Sequence, residues 1–239
     1  MNDWLTRTEL LLGSEKLKKL KEANVLVVGL GGVGAYAAEM ICRAGVGKMT
    51  IVDGDIVNPS NRNRQLPALL SNEGKAKAAV MEERLKDINP EIDLTTVPEY
   101  IKDERMVEIL DSGFDYVVDA IDTLSPKVFL IYHSMQKKIP VVSSMGAGGK
   151  YDVTRIRIAD ISDTTDCNLA RILRKRLHKL GVREGFTAVF SSETVDKSRI
   201  KVVEGEQNKI SVVGTISYMP ATFGIACASV VIRNLAGIN

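Results

Sequence analysis

Gly29, Gly31, Gly32 and Gly34 lie in the run Val-Val-Gly-Leu-Gly-Gly-Val-Gly, after a β-branched stretch at 24–28 and before helix-like spacing at 33–44. Glycines at a strand-to-helix turn let backbone N–H groups approach phosphate oxygens at a helix N-terminus, where the dipole favours anions. Asp53 ends the next apolar run, 48–52, at the place where an acidic side chain reaches ribose hydroxyls. Taken alone, these positions specify a bound nucleotide and are most often met in dinucleotide oxidoreductases.

The charged residues that follow narrow the chemistry. Asn61-Arg62-Asn63-Arg64-Gln65 comes soon after Asp53-Gly54-Asp55, then Lys77 within Glu73-Gly74-Lys75-Ala76-Lys77, then Asp119-Ala120-Ile121-Asp122. Hydride transfer has no use for arginine and lysine beside a phosphate loop. Adenylate formation does, because negative charge builds on the α-phosphate and on the departing pyrophosphate. Asp122, one strand end further along, is placed to hold Mg²⁺ on those phosphates.

Positioning such groups requires alternating strands and helices. Strand-like runs at 24–28, 48–52, 94–97, 116–118 and 140–143 alternate with helix-like spacing at 33–44, 73–88, 104–110 and 126–137. This predicts an α/β fold: a Rossmann-like, doubly wound, mostly parallel sheet with helices on both faces. Beyond Gly149 the rhythm changes, with strands expected at 155–159 and 186–190, a helix at 168–180, a polar irregular stretch at 197–211 and an apolar helix after Pro220. The expected organisation is one domain over 1–239. It comprises a helical arm at 1–23, a nucleotide-binding core at 24–149 and a substrate-side portion at 150–239 into which the sheet continues.

Composition narrows the function classes. The 239 residues are 45% hydrophobic and 26% charged, an ordinary globular profile, and 32 basic against 30 acidic side chains leave a net charge of +2. No global basic excess marks a nucleic-acid binder, so any such contact must be local. Cys42, Cys167 and Cys227 are too few for a disulfide framework or a four-thiolate zinc site, which suits a reducing cytoplasm. The N-terminus lacks the pattern of a signal peptide, and the apolar run at 219–232 is short for a membrane span and contains Pro220 and Gly224. A local basic feature does exist. In the helix expected at 168–180, Arg171, Arg174, Lys175 and His178 share one stripe, while Leu169, Ile172, Leu173, Leu177 and Leu180 occupy another. Such a stripe could lie along nucleic-acid phosphates, but on pattern alone a plain solvated face is the commoner reading.

With these motifs in order, the sequence resembles the E1-like adenylating family, which includes ubiquitin-activating enzymes and bacterial activators of small sulfur carriers. The resemblance covers nearly the whole chain. It implies that Gly31, Gly32 and Gly34 line ATP and that Asp53 binds the ribose, with Asp55 completing the pocket. It also implies that Asn61, Arg64, Gln65 and Lys77 contact the phosphates and that Asp122 supports Mg²⁺ and the reaction centre. In homodimeric relatives an N-terminal arginine reaches the partner's active site, and Arg7 holds the matching place.

Within the family, sulfur-carrier activators usually carry two Cys-X-X-Cys pairs for zinc, which three cysteines cannot supply. The run Asp119-Ala-Ile-Asp122-Thr, Lys127, Gly146-Ala-Gly-Gly149, Asp152-Val-Thr-Arg155 and Val189-Phe-Ser-Ser-Glu193 is similar to the tRNA threonylcarbamoyladenosine dehydratase branch. That resemblance implies ATP-dependent cyclisation of N6-threonylcarbamoyladenosine at position 37 of tRNA through a carboxyl-adenylate. It makes the modified tRNA the partner of Arg171, Arg174 and Lys175, and it brings an association with sulfur-mobilising proteins. Activation of a ubiquitin-like sulfur carrier is the rival. Asn168 stands where relatives commonly have proline and Ala188 where some place a cysteine, so the chain does without that thiol or uses Cys167, which has no basic neighbour in sequence nearer than Arg171 and reads more readily as an ordinary cysteine.

Overall fold

The computed structural model describes residues 4–196, 198, 200–202 and 211–238. Two short helices, α1 (Thr6–Leu12) and α2 (Ser14–Glu22), precede β1 (Asn24–Val28), α3 (Gly34–Arg43) and β2 (Lys48–Val52). Then come α4 (Lys77–Ile88), β3 (Asp93–Val97), α5 (Asp103–Leu110), β4 (Tyr116–Asp119), α6 (Leu124–Gln136) and β5 (Val141–Ser144). The last third holds β6 (Ile156–Asp160), α7 (Asn168–Lys179), β7 (Thr187–Ser191), β8 (Ile200–Val202), β9 (Ser211–Val213) and α8 (Tyr218–Ala236).

The seven-stranded sheet runs β3-β2-β1-β4-β5-β7-β6, parallel throughout except for β6, which pairs antiparallel with β7. The chain winds outward from β1 through β2 to β3, then returns to place β4 on the other side of β1. That reversal opens a crevice at the carboxyl ends of β1 and β4, where ligands of open α/β sheets bind.

The strands read as apolar runs because both sheet faces are covered. Val25, Val27, Met49, Ile51, Val118 and Val142 point into one core with α3, α4 and α8. Leu26, Val28, Val52, Val117 and Val141 point into the other with α5, α6 and α7. The period-two alternation of the strands thus divides them between two helical layers. The 19-residue α8 has the length and composition of a membrane span, yet Phe223, Cys227, Ala228 and Val231 are buried in the first core beside α3.

Elements fall where the pattern expects them, with informative differences. Helix α4 starts at Lys77 rather than at Glu73, because Gly74 takes φ +82° and Ala76 forms an isolated bridge with Ile56. The stretch expected to be irregular at 197–211 instead contributes β8 and the first residue of β9, an antiparallel ribbon. Residues 203–210 of that stretch, with 197 and 199, lie outside the described residues.

One buried acid ties two helices together. Glu39 on α3 accepts from Arg43 Nε at 2.8 Å and from Arg84 Nε on α4 at 2.5 Å. Burial pushes its carboxyl up, but the two guanidinium groups outweigh that and hold it below the ordinary value of 4.5. The resulting stability is present above the ordinary carboxylate range and is lost as pH falls through the lowered folded value. Glu39→Gln is therefore expected to cost about 1–2 kcal/mol at pH 7, moderated by solvent access to both arginines. The gap between wild type and variant in thermal midpoint should close as pH falls below about 4. A gap that stays constant from pH 7 down to the acid limit of folding would show that packing, not charge, is what the substitution removes.

Candidate active site

The glycine turn is built by close approach of backbones at the crevice. Gly29 has φ +91°, and a Cβ there would lie 2.7 Å from Ala120 O on the loop leaving β4. At Gly34 an added Cβ would overlap Gly29 O, far inside van der Waals contact distance. These two glycines let α3 start against the turn. At Gly31 a Cβ would meet only Gln65 Nε2, at 3.7 Å, so internal packing does not demand glycine there. The Gln65 Oε1 atom is a buried acceptor that finds no hydrogen-bond partner among the described residues.

Asp53 leaves the end of β2 toward the same turn. Its Oδ2 accepts from Leu30 N–H at 2.5 Å and its Oδ1 from Asp55 N–H at 2.7 Å, which fixes both oxygens beside the glycine loop. Burial pushes this carboxyl up, and the Lys77 ammonium opposes the shift. Lys77 is the first residue of α4 and is only 4% exposed; its Nζ pairs with Asp55 Oδ2 at 2.7 Å. The Tyr100 hydroxyl, after β3, donates to the other oxygen of Asp55. That bond, with Asp55 accepting, is the main reason the Tyr100 phenol is pushed up to about 12.

Arg64 lies beside the glycine turn, its carbonyl oxygen 3.3 Å from where a Cβ on Gly32 would stand. Its Nη1 donates to Ser60 O at 2.9 Å and to Asn63 Oδ1 at 2.8 Å, while Asn63 Nδ2 donates to Thr215 O at 3.0 Å. Burial lowers the Arg64 pKa, and the Asp122 carboxylate works against that. Asn61 is buried, with Oδ1 accepting from Asn58 N–H at 3.1 Å, so it shapes the turn that carries Arg64 and Gln65. Asp122 is exposed on the loop after β4, within electrostatic range of Arg64 and Tyr100.

The expected residues Gly31, Gly32, Gly34, Asp53, Asp55, Asn61, Arg64, Gln65, Lys77 and Asp122 are thus carried by the turn and loops at the carboxyl ends of β1, β2 and β4. Arg7 is not among them. Helix α1 follows Leu5, whose side chain is packed at Gly45, the turn that feeds the amino end of β2. That is the opposite pole of the sheet, so Arg7 does not join this crevice within its own chain.

The basic stripe on α7 also differs from its helical-wheel picture. Arg174 turns inward, its Nη1 donating to Thr164 O at 2.8 Å and to Thr164 Oγ1 and Ile161 O. Arg171 is exposed and bonded to Asn168 Oδ1 at 2.7 Å, while Lys175 is exposed together with Arg176 and Lys179, which the pattern had not singled out. Helix α7 precedes the parallel strand β7 and so starts at the crevice pole, where Cys167 is buried within electrostatic reach of Lys150. Lys150 Nζ donates to Ser191 O at 2.9 Å, and Glu193 accepts from Tyr151 N–H and Asp152 N–H, fixing the loop after Gly149. Burial pushes the thiols of Cys42 and Cys227 up to about 11 and about 12, so neither is a nucleophile at neutral pH.

A cleft of about 320 Å³ lies elsewhere, between β2, β3 and α5, and two pairs of its charged side chains are already bonded to each other, Lys48 with Asp93 and Arg105 with Glu108. The fold and the crevice define the class: a Rossmann-like α/β protein whose glycine turn, Asp53, Arg64 and Lys77 gather at the carboxyl ends of the strands. The ThiF family model matches residues 5–239, and the chain belongs to that family. It is 43% identical over 189 residues to the tRNA threonylcarbamoyladenosine dehydratase of Bacillus subtilis, covering 79% of this chain and 74% of the relative. With the Escherichia coli enzyme of that name it shares 41% identity over 195 residues, covering 79% and 73%. The solved structure of the E. coli tRNA N6-threonylcarbamoyladenosine dehydratase, TcdA, in complex with ATP superposes with a TM-score of 0.89 at 36% identity, covering 99% of this chain and 96% of that one.

Proposed function

We propose that this chain catalyses the ATP-dependent dehydration of N6-threonylcarbamoyladenosine at position 37 of tRNA, by forming a carboxyl-adenylate that cyclises. The observation that carries the proposal is the convergence of Asp53, Lys77, Arg64 and Asp122 on one glycine turn. The substrate carboxylate attacks the α-phosphorus, the bond to pyrophosphate breaks, and an acyl-adenylate forms. A nitrogen or oxygen of the same nucleoside then attacks the acyl carbon. AMP leaves with the former carboxyl oxygen, no water enters, and the nucleoside is lighter by one water.

Backbone N–H groups of the Gly31–Gly34 turn and the N-terminus of α3 receive phosphate oxygens, and Asp53 accepts from the ribose. Arg64 and Lys77 oppose the charge that develops on the α-phosphate and the leaving group. Gln65 offers its unpartnered Oε1 beside the turn, and Asn61 sets the turn from which Arg64 projects. No group of three or more metal-ligating side chains occurs among the described residues, which fits Mg²⁺ held chiefly by nucleotide phosphates with Asp122 as its protein carboxylate. When bound, Mg²⁺ supplies charge neutralisation on the phosphates. A homodimer would bring Arg7 of a second copy to this crevice. The buried, unpaired cysteines favour a reducing cytoplasm.

The deciding experiment measures AMP release from Mg-ATP with modified tRNA, unmodified tRNA and a ubiquitin-like sulfur carrier, alongside nucleoside mass analysis. AMP formed only with modified tRNA, plus loss of one water from the nucleoside, supports dehydration. AMP formed only with the carrier moves the chain to sulfur-carrier activation.

tRNA contact is assigned to Arg171, Lys175 and Arg176 on α7. Replacing Lys175 and Arg176 with alanine is expected to weaken tRNA binding and flatten the slope of log K against log salt by about 1–2. Arg174→Ala should instead lower the thermal midpoint, because Thr164 O and Ile161 O lose a charged donor, at about 1–3 kcal/mol. An unchanged salt slope in the double variant would return this face to ordinary solvation.

A further inference from the structure

Behind Asp122 lies a fully buried ion pair with no assigned role. Asp119, the last residue of β4, and Lys127, in the first turns of α6, are both 0% exposed, and Lys127 Nζ lies 2.7 Å from Asp119 Oδ2. The same ammonium donates to Ile121 O at 3.0 Å. Asp119 Oδ1 accepts from Ile121 N–H at 3.2 Å, and Asp119 Oδ2 accepts from Ser143 Oγ on β5 at 2.6 Å. On the other side, Ala120 N–H donates to Val28 O at 2.9 Å, and Ala120 O packs at Gly29.

Ile121 is therefore gripped on both of its backbone polar groups, and the peptide that leads into Asp122 is set by Lys127. A buried ion pair is poor ground for stability as such, since desolvation offsets most of the attraction. Its geometry is well suited to holding a loop in one conformation while the next side chain stays exposed to the crevice. Resting on the adenylation chemistry proposed above, we infer that Lys127 is a positioning residue: through Ile121 O, with Asp119 as its buried counter-ion, it holds Asp122 at the place where the α-phosphate is attacked.

The test uses the full chain with Lys127→Met, Lys127→Arg and the double variant Lys127→Met/Asp119→Asn, in which neither charge is left unpaired. Thermal melting, ATP affinity, the kcat and KM of AMP release, and amide hydrogen exchange at 120–122 are measured. The expected result for the double variant is a wild-type fold and ATP affinity within about threefold of wild type, with kcat down about 100-fold. Exchange at 120–122 should rise while β4 stays protected, and Lys127→Arg should recover part of kcat. If Lys127→Met fails to fold, the double variant decides. Wild-type kcat or unchanged exchange in the double variant overturns the inference and leaves the pair a packing device. Absence of AMP release from wild type with every acceptor would count against the proposed reaction, not against the clamp, which the exchange measurement still decides.

Discussion

Replacing Arg64 with alanine is expected to lower the rate of AMP formation by about 10²–10³-fold while shifting the thermal midpoint little. Arg64 contributes hydrogen bonds to Ser60 O and Asn63 Oδ1, both at an exposed turn, so its loss leaves neither acceptor buried without a partner. Its guanidinium is partly desolvated, which burial registers as a lowered pKa, and a desolvated cation interacts more strongly with charge that develops beside it. Its effect should fall on kcat more than on ATP affinity, because charge on the α-phosphate grows toward the transition state. Lys77 is a less clean target, since removing its buried ammonium also strips Asp55 of a 2.7 Å partner. Single-turnover AMP release and calorimetric ATP titration separate the two effects. Near-normal turnover in Arg64→Ala would sink the site assignment.

Gly34→Ala is expected to disrupt the fold rather than the chemistry. The added Cβ would overlap Gly29 O, a backbone atom held by the Gly29 N–H to Val52 O bond of 2.8 Å and by its packing on Ala120. No rotamer relieves that overlap, so the start of α3 or the β1 turn must shift, at about 3 kcal/mol. For a chain of this length that lowers the thermal midpoint by about 6–12 °C. Gly31→Ala is the companion experiment, because its Cβ meets only the Gln65 amide at 3.7 Å. It should leave the midpoint within about 2 °C and reduce ATP affinity about tenfold or more, the signature of a glycine that serves the ligand. Equal melting of the two variants would show that the turn accommodates a side chain at Gly34, contrary to the geometry.

The contrast between these glycines marks the limit of what spacing conveys. The motif singles out both, yet whether a Cβ would meet backbone or open space depends on Ala120 and Gln65, which arrive from distant segments.

Much of the protein was determined locally. The β-branched runs, their alternation with helical spacing and the turn glycines specify a doubly wound parallel sheet, because each segment's periodicity already states which faces it must bury. The order of Asp53, Arg64, Lys77 and Asp122 along the chain likewise encodes the crevice, since in such a sheet residues after strand ends converge at one pole. Tertiary structure alone decided three other things. It turned Arg174 inward, because its acceptors are backbone carbonyls at 161 and 164, and carbonyls carry no sequence signature. It sent α1, and Arg7 with it, to the pole away from the crevice through the packing of Leu5 at Gly45. It also buried Asp119 and Lys127 completely, although charged side chains at a strand end and in a helix ordinarily face water. Local pattern fixes which way a segment faces, whereas the desolvation of a charge depends on every neighbour that closes over it.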